Sequence, residues 1–324
     1  MKIIKNSFLW VITAALSVVF SFELGLGGSL AKIFIPLCVV SCFALAHKKL
    51  KIKYIEYLLF FSISVTSLFG LTQTLTGSHA ESNNILLFGI SFYTASIAYL
   101  IAIKSFNFSK IFDVSNPLLL FTGPIALFIK PIKHKKINNR IKYYFPFIII
   151  GSFMFLVVGS PLTEFFYLIN RTDVVSSILF AGIFEIFVYM NFCGLSLFIY
   201  GLFGVLGYRI PLNFKQPFSS SNIIEFWRGW HISLSQVLKV LFYKKLRARF
   251  SLFIALVGVY VSSAMWHGVT LNFLLWGLFH AILFWLSLQL MKLGKIYLPL
   301  LMMPIIVVVG RLIFADSDTD RLIQ

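Results

Sequence analysis

SSAMWHGVTLNFLLWGLFH, residues 262–280, sets His267 and His280 among tryptophans, phenylalanines and leucines. Apolar spans lie on either side, at about 251–266 and 272–291, each near the ~20 residues a helix needs to cross a bilayer. Gly268, directly after His267, lets the backbone turn or approach another group closely. Two spanning helices joined at WHG is the reading that decides the fold, and the rest of the chain agrees with it. Of 324 residues, 59% are hydrophobic and only 12% are charged. A soluble domain carries roughly twice that charge. The solvent facing most of this chain is therefore lipid.

Further apolar spans fall at roughly 7–22, 29–46, 54–72, 85–103, 145–162, 176–206 and 296–314. Shorter pieces near 117–129 and 234–243 read as re-entrant or interfacial. The sequence predicts an all-α polytopic membrane protein of about 9–11 transmembrane or re-entrant helices. It is read as a single integral membrane domain, 1–324, with no internal repeat and no soluble domain. The stretch MKIIKNSFLWVITAALSVVF lacks a clear cleavage site and reads as an uncleaved first helix. The span 176–206 is long for one crossing, which predicts a tilt, or a break near Gly194 or Gly201.

The net charge of +17 sits in short blocks between apolar runs. Lys2 and Lys5, the block Lys48 to Lys53, the run Lys130 to Lys142 and the run Lys239 to Arg249 all fall on one side of the predicted topology. The loop TQTLTGSHAESNN (72–84), without Lys or Arg, falls on the other. That is the positive-inside pattern, and it places the basic runs in the cytoplasm, against anionic lipid headgroups. Nucleic acid is not an expected partner. Cys38, Cys42 and Cys193 all lie inside apolar runs, which suggests small core residues rather than a disulfide framework.

An ionisable side chain within lipid is expensive, so each one is a candidate for function. Three stretches collect such residues. In SNIIEFWRGWHISLSQ (221–236), read as one helix, Glu225 and Arg228 can pair at i,i+3 and Trp227 can wall His231 at i,i+4. Around the opening stretch, Trp266, His267, Asn272 and His280 are polar or amphipathic groups. On an unbroken helix the two histidines would stand about 20 Å apart on largely opposite faces, so they do not read as ligands of one metal. In FEIFVYMNFCGLSLFIYG (184–201), Glu185, Tyr189, Asn191 and Ser196 are polar. Gly194 and Gly201 serve equally well as helix-packing positions there. Histidines without a carboxylate cluster or Cys–His spacing suit general base work better than a metal site. No GxSxG elbow, P-loop or GxGxxG fingerprint occurs. A dry site favours the neutral imidazole, which takes a proton from an attacking hydroxyl.

Five motifs in order carry a resemblance. FWRGWHISLS resembles the FWRxWHISLS signature of bacterial membrane-bound O-acyltransferases, of the alginate O-acetylation and teichoic-acid D-alanylation type. SSAMWHGVTLNFLLWGLFHA is similar to that family's WHG segment. FGISFYTASIAYLI (88–101), LLLFTGPIAL (118–127) and LFGVLGYRIPLNFKQPF (202–218) are similar to its other motifs. The resemblance covers roughly 85–320.

It implies a helical fold around a catalytic tunnel. A cytoplasmic thioester, acetyl-CoA or an acyl carrier protein, would supply the acyl group. The acceptor would be a hydroxyl of a surface glycan, reached directly or through an extracytoplasmic acetyltransferase partner. No permanently bound cofactor and no metal are expected, and membrane lipids surround the chain in a bacterial cytoplasmic membrane. The implied catalytic residues are His267 as base and His231 on the donor side. Trp227, Arg228, Trp266, Asn272, Tyr189 and Asn191 would line substrate or tunnel, with His280 and Glu225 behind them. Acylation of a lipid or protein, or a noncatalytic transport role, are the alternatives. One departure matters. The family's YxDFxGYSD-type helix reads YMNFCGLSL here, with Asn191 in place of the acidic residue, so a role that needs a carboxylate does not carry over. Further helices often follow the GRLIFADS stretch in the family, so the chain is read as a shortened scaffold or a truncation.

Overall fold

The computed structural model describes residues 80–133, 136–169, 173–294 and 297–315, with residues 11, 40–42, 44–47, 51–62 and 64. The first predicted span (7–22), most of the second and the start of the 72–84 loop lie outside these residues. Nearly all described residues outside the loops are helical, and the pattern is that of a polytopic membrane protein. Among the described residues three helices are long and apolar enough to cross a bilayer: Ile137–Leu162, Val174–Leu206 and Leu271–Lys292. Shorter apolar helices cover Ile90–Ala102, Leu252–His267 and Ile305–Ala315. On the first of the long helices Phe145, Ile149, Ile150, Phe153, Leu156 and Val157 are all exposed. A contiguous apolar stripe of that extent is stable facing lipid, not water.

The chain packs as two compact units. One comprises Met1–Arg140 with Phe203–Pro211, the other Ile141–Leu202 with Leu212–Gln324. In the first, the helix Ala80–Ala102 packs on Ile55–Phe60 and on Pro117–Thr122. Its buried face carries Tyr93, Ala95, Ile97 and Leu100. The helix Pro117–Thr122 stops at Gly123, whose φ of 63° and ψ of 179° suit glycine alone. That is why the piece near 117–129 is short: the chain turns there and runs on without helix. Lys130–Pro131 and Tyr208–Arg209 form a two-residue antiparallel ladder.

The helix Val174–Leu206, which belongs to the second unit as far as Leu202, is continuous over 33 residues. At 1.5 Å per residue it is about 50 Å long, well beyond a ~30 Å hydrocarbon core. Of the two expected alternatives, a tilt or a break near Gly194 or Gly201, the break does not occur. Both glycines instead let the backbone of Ile137–Leu162 come close. A Cβ on Gly194 would stand 2.9 Å from the Gly151 carbonyl oxygen, and one on Gly201 would stand 2.8 Å from that of Tyr144. Small residues do this work in lipid, where packing rather than water exclusion joins helices. The partner helix widens to π geometry over Phe153–Gly159, directly before Ser160 and Pro161.

Leu252–His267 and Leu271–Lys292 form the helical hairpin predicted from WHG. Gly277 fits against the Tyr260 carbonyl and Ala264, so the two helices pack closely. Tyr297–Ala315 packs on the second of them.

Candidate active site

The segment 221–236 is not one helix. Asn222 caps a first helix, Ile223–Gly229, by accepting from the Glu225 N–H at 3.0 Å. Glu225 in turn accepts from the Ser221 hydroxyl at 2.7 Å and from its N–H at 3.2 Å. These bonds, the Ser221 hydroxyl first, hold the exposed Glu225 carboxyl below its ordinary pKa. Glu225 is engaged mainly by this cap, and the exposed Arg228, expected to pair with it, acts on its carboxylate only as the smallest of the favourable influences. The helix ends at Trp230, and His231 takes left-handed geometry, φ 43° and ψ 56°. Such a conformation costs a non-glycine residue roughly 1 kcal/mol or more.

The surroundings impose that break. Lys215 N–H donates to the Gly229 carbonyl, and Ile232 N–H donates to the Asn213 carbonyl, at 2.9 and 2.8 Å. The buried Asn213 side chain accepts from the Ser233 hydroxyl at 2.8 Å and donates to Ser196 at 3.3 Å. His231 itself caps the next helix, Ile232–Leu238: its Nδ1 accepts from the Leu234 N–H at 3.4 Å. With Nδ1 an acceptor, the neutral ring carries its proton on Nε2. His231 is therefore arranged to donate a hydrogen bond from Nε2.

Because the helix breaks, Trp227 does not wall His231. His231 lies edge-on to Phe192, ring centroids 4.8 Å apart, and 6.2 Å from Trp266. Trp227 turns the other way, to Tyr260, Trp276 and His280. His280 is boxed by those three rings and Phe279, and its Nδ1 is buried without a hydrogen-bond partner among the described residues. Tyr189 belongs to an aromatic group with Phe214, Phe218 and Trp230. Asn191 donates back to the Phe187 carbonyl of its own helix at 2.8 Å and lies against Gly159. That back-bonding occupies the amide where the family's acidic residue would stand.

His267 is the last residue of its helix. Trp266 stands edge-on to both histidines, with ring centroids 5.1 Å from His267 and 6.2 Å from His231. Phe273 and Phe314 complete the walls at 6.0 and 5.1 Å. Among the described residues no hydrogen bond reaches either ring nitrogen of His267. Gly268 is needed for this wall. A Cβ there would meet the Phe273 ring at 2.9 Å. Asn272 donates to the Phe314 carbonyl at 3.0 Å and fixes the far wall. Chemically, the arrangement offers one imidazole that can accept a proton and has no hydrogen bond among the described residues, and a second, against the same indole, whose Nδ1 caps a helix. Among the described residues no group of three or more His, Cys, Asp or Glu could hold a metal.

The sequence reading missed two participants. Asn213 shapes the break at His231, and its place inside the PLNFKQPF motif was the available signal. Arg311 pairs with Glu185 at 2.5 Å across 126 residues. An arginine inside an apolar helix was signal enough by the cost of burying charge in lipid.

Comparison with known proteins agrees with this architecture. The family model for the membrane-bound O-acyltransferase family matches residues 52–297. The chain is 26% identical to the teichoic acid D-alanyltransferase of Bacillus subtilis over 151 residues, 42% of this chain and 38% of that protein. It is 36% identical to a probable alginate O-acetylase of Pseudomonas putida over 106 residues, 32% of this chain and 21% of that protein. A peptidoglycan O-acetyltransferase of Helicobacter pylori is 35% identical over 100 residues, 30% of this chain and 18% of that protein. The matched stretches span well under half the length of these relatives.

Proposed function

The chain belongs to the membrane-bound O-acyltransferase family, and on that premise we propose that it transfers an acyl group, acetyl in the first instance, from a cytoplasmic thioester to hydroxyls of a cell-surface polysaccharide. The observation that carries this reading is the state of the two histidines. Among the described residues no hydrogen bond reaches the His267 ring, while His231, against the same Trp266 indole, has Nδ1 in a helix cap.

His267 accepts the proton of the acceptor hydroxyl as that oxygen attacks the thioester carbonyl. The Nε2–H of His231 donates to the carbonyl oxygen as charge develops there, or orients the thioester before attack. The tetrahedral intermediate collapses, the C–S bond breaks, and the thiolate takes the proton from the His267 imidazolium. An ester and a free thiol result. General base catalysis of this kind typically contributes about 10²–10⁴-fold.

The donor is acetyl-CoA or an acyl carrier protein thioester, substrates rather than resident cofactors. Lys244, Lys245 and Arg247, on the short helix Lys244–Arg247, offer positive charge to an acidic carrier or a CoA phosphate. The acceptor is reached directly or through an extracytoplasmic partner, from a bacterial cytoplasmic membrane. The relatives' names, which include alginate, teichoic acid and peptidoglycan, support a glycan acceptor.

The test compares acyl-ester content of purified surface glycans, by NMR before and after mild base. The strains are wild type, a deletion, and His267→Ala at matched membrane abundance. Loss of ester signal in both mutants is expected. Retention in His267→Ala alone would remove His267 from the chemistry. Retention in both would direct the search to lipid or protein acceptors, or to transport.

A further inference from the structure

The buried ion pair between Glu185 and Arg311 has no part in the proton transfer above. Both partners are largely buried, with side chains 8% and 12% exposed. Arg311 Nε and Nη2 both reach Glu185 Oε2, at 2.5 Å. Its guanidinium also lies over two rings, Phe184 at 5.3 Å and Phe314 at 5.2 Å. A planar cation held by a carboxylate and between two aromatic faces has little freedom to turn.

As a source of stability the pair is a poor choice. Two charges in an apolar interior forfeit hydration that their attraction barely repays, and two apolar side chains would pack there as well. What the pair does supply is a fixed register between two helices that lipid alone would not discriminate. Glu185 lies on Val174–Leu206 and Arg311 on Tyr297–Ala315. The consequence appears three residues beyond Arg311. Phe314 stands edge-on to His267 and accepts from Asn272 through its carbonyl. The wall against His267 is thereby set from both sides: by Asn272 at the start of the following helix, and by Arg311 from the helix that carries Phe314.

We propose that Glu185 and Arg311 are positioning residues for His267. The pair fixes Phe314, and Phe314 fixes the orientation of the imidazole. The proposal rests on His267 as the base for its kinetic part only, because the orientation of the ring is measurable without any reaction.

The experiment uses full-length protein purified in detergent. Removing one charge leaves the other buried and unpaired, which endangers folding. The main variant is therefore the neutral double substitution Glu185→Gln with Arg311→Gln, alongside Arg311→Lys, which keeps the charge and loses the planar stack. The first readout is the rate of His267 modification by diethyl pyrocarbonate, followed by peptide mass spectrometry, with His231 as internal reference. The expected result for the neutral pair is a rise of about 3–10-fold at His267, no change at His231 and an unchanged melting temperature, with Arg311→Lys intermediate. In the transfer assay kcat should fall about 10–100-fold while KM for the thioester changes less than about 3-fold, as loss of alignment predicts. A His267 rate that is unchanged or lowered in folded neutral-pair protein overturns the proposal. So does a loss of kcat that only follows a falling melting temperature. If wild-type protein transfers no acyl group, the transfer reading fails by itself and the modification rates still decide the positioning claim.

Discussion

Two histidines end up at helix termini against the same indole, that of Trp266, and they are held by opposite means. His231 is held by backbone. It occupies a left-handed conformation, caps Ile232–Leu238 with its own ring and sits in a frame of hydrogen bonds from Asn213 and Ser233. Among the described residues His267 is held by packing, against Trp266, Phe273 and Phe314. The difference is the basis for proposing His267, rather than His231, as the base. A ring nitrogen that satisfies a helix end cannot also accept a substrate proton, whereas a ring walled only by aromatic faces keeps its lone pair available.

The largest test of the contrast is His267→Gln. Acyl transfer should drop by about 10²–10⁴-fold, with the melting temperature in detergent within a few degrees of wild type, because no hydrogen bond is lost. Activity persisting above a tenth of wild type would end the assignment. His231 should behave differently. His231→Asn keeps a side chain that caps and tolerates left-handed geometry, so it should fold normally while transfer falls about 10–100-fold. His231→Ala should in addition lose about 1–2 kcal/mol of stability with the cap. Equal melting of the two variants would show that the cap is not what His231 supplies. Gly268→Ala probes the packing side. Its Cβ must displace the Phe273 ring, so transfer should fall about tenfold for an overpacking cost of about 1–3 kcal/mol. A wild-type rate would mean that the aromatic wall need not be tight.

The smallest effect belongs to the outer cap of the same arm. Asn222→Ala should remove about 1 kcal/mol and leave His267 modification rates unaltered. Its neighbour Glu225 gives this cap a pH dependence. The Ser221 bonds favour the carboxylate, so the contribution is fully present above the ordinary glutamate range near 4.3. It is lost as pH falls through the lowered pKa of the folded state. Melting of wild type should soften on acidification more than that of Glu225→Gln. Parallel curves would remove the cap from the account.

How much was legible in advance differs between these regions. The WHG hairpin was read nearly to the residue, 251–266 and 272–291 against Leu252–His267 and Leu271–Lys292. Length and hydropathy suffice for that, since in lipid every backbone group must be satisfied within the helix. The FWR arm was misread as one helix, because its local sequence contains no proline and only Gly229 as a weak signal. The break comes from Asn213 and Lys215, which belong to a preceding loop. The wall Trp227 was expected to give His231 went to His280 for the same reason. For Val174–Leu206 the sequence left two readings of its glycines open, a break or helix packing, and the packing one holds because a second helix backbone fills the space they leave.

By itself the sequence determined that this chain lives in a membrane, where most of its helices lie, and which histidines are worth following. Those are properties of composition, periodicity and short motifs, written in neighbouring residues. Only the tertiary structure decided which histidine is tied and which is free. It also decided that Arg311, 126 residues from its partner, meets Glu185 beside the ring against His267. Both outcomes depend on contacts between segments far apart in the chain, and no local pattern encodes the hydrogen bond or ring that a distant helix will bring.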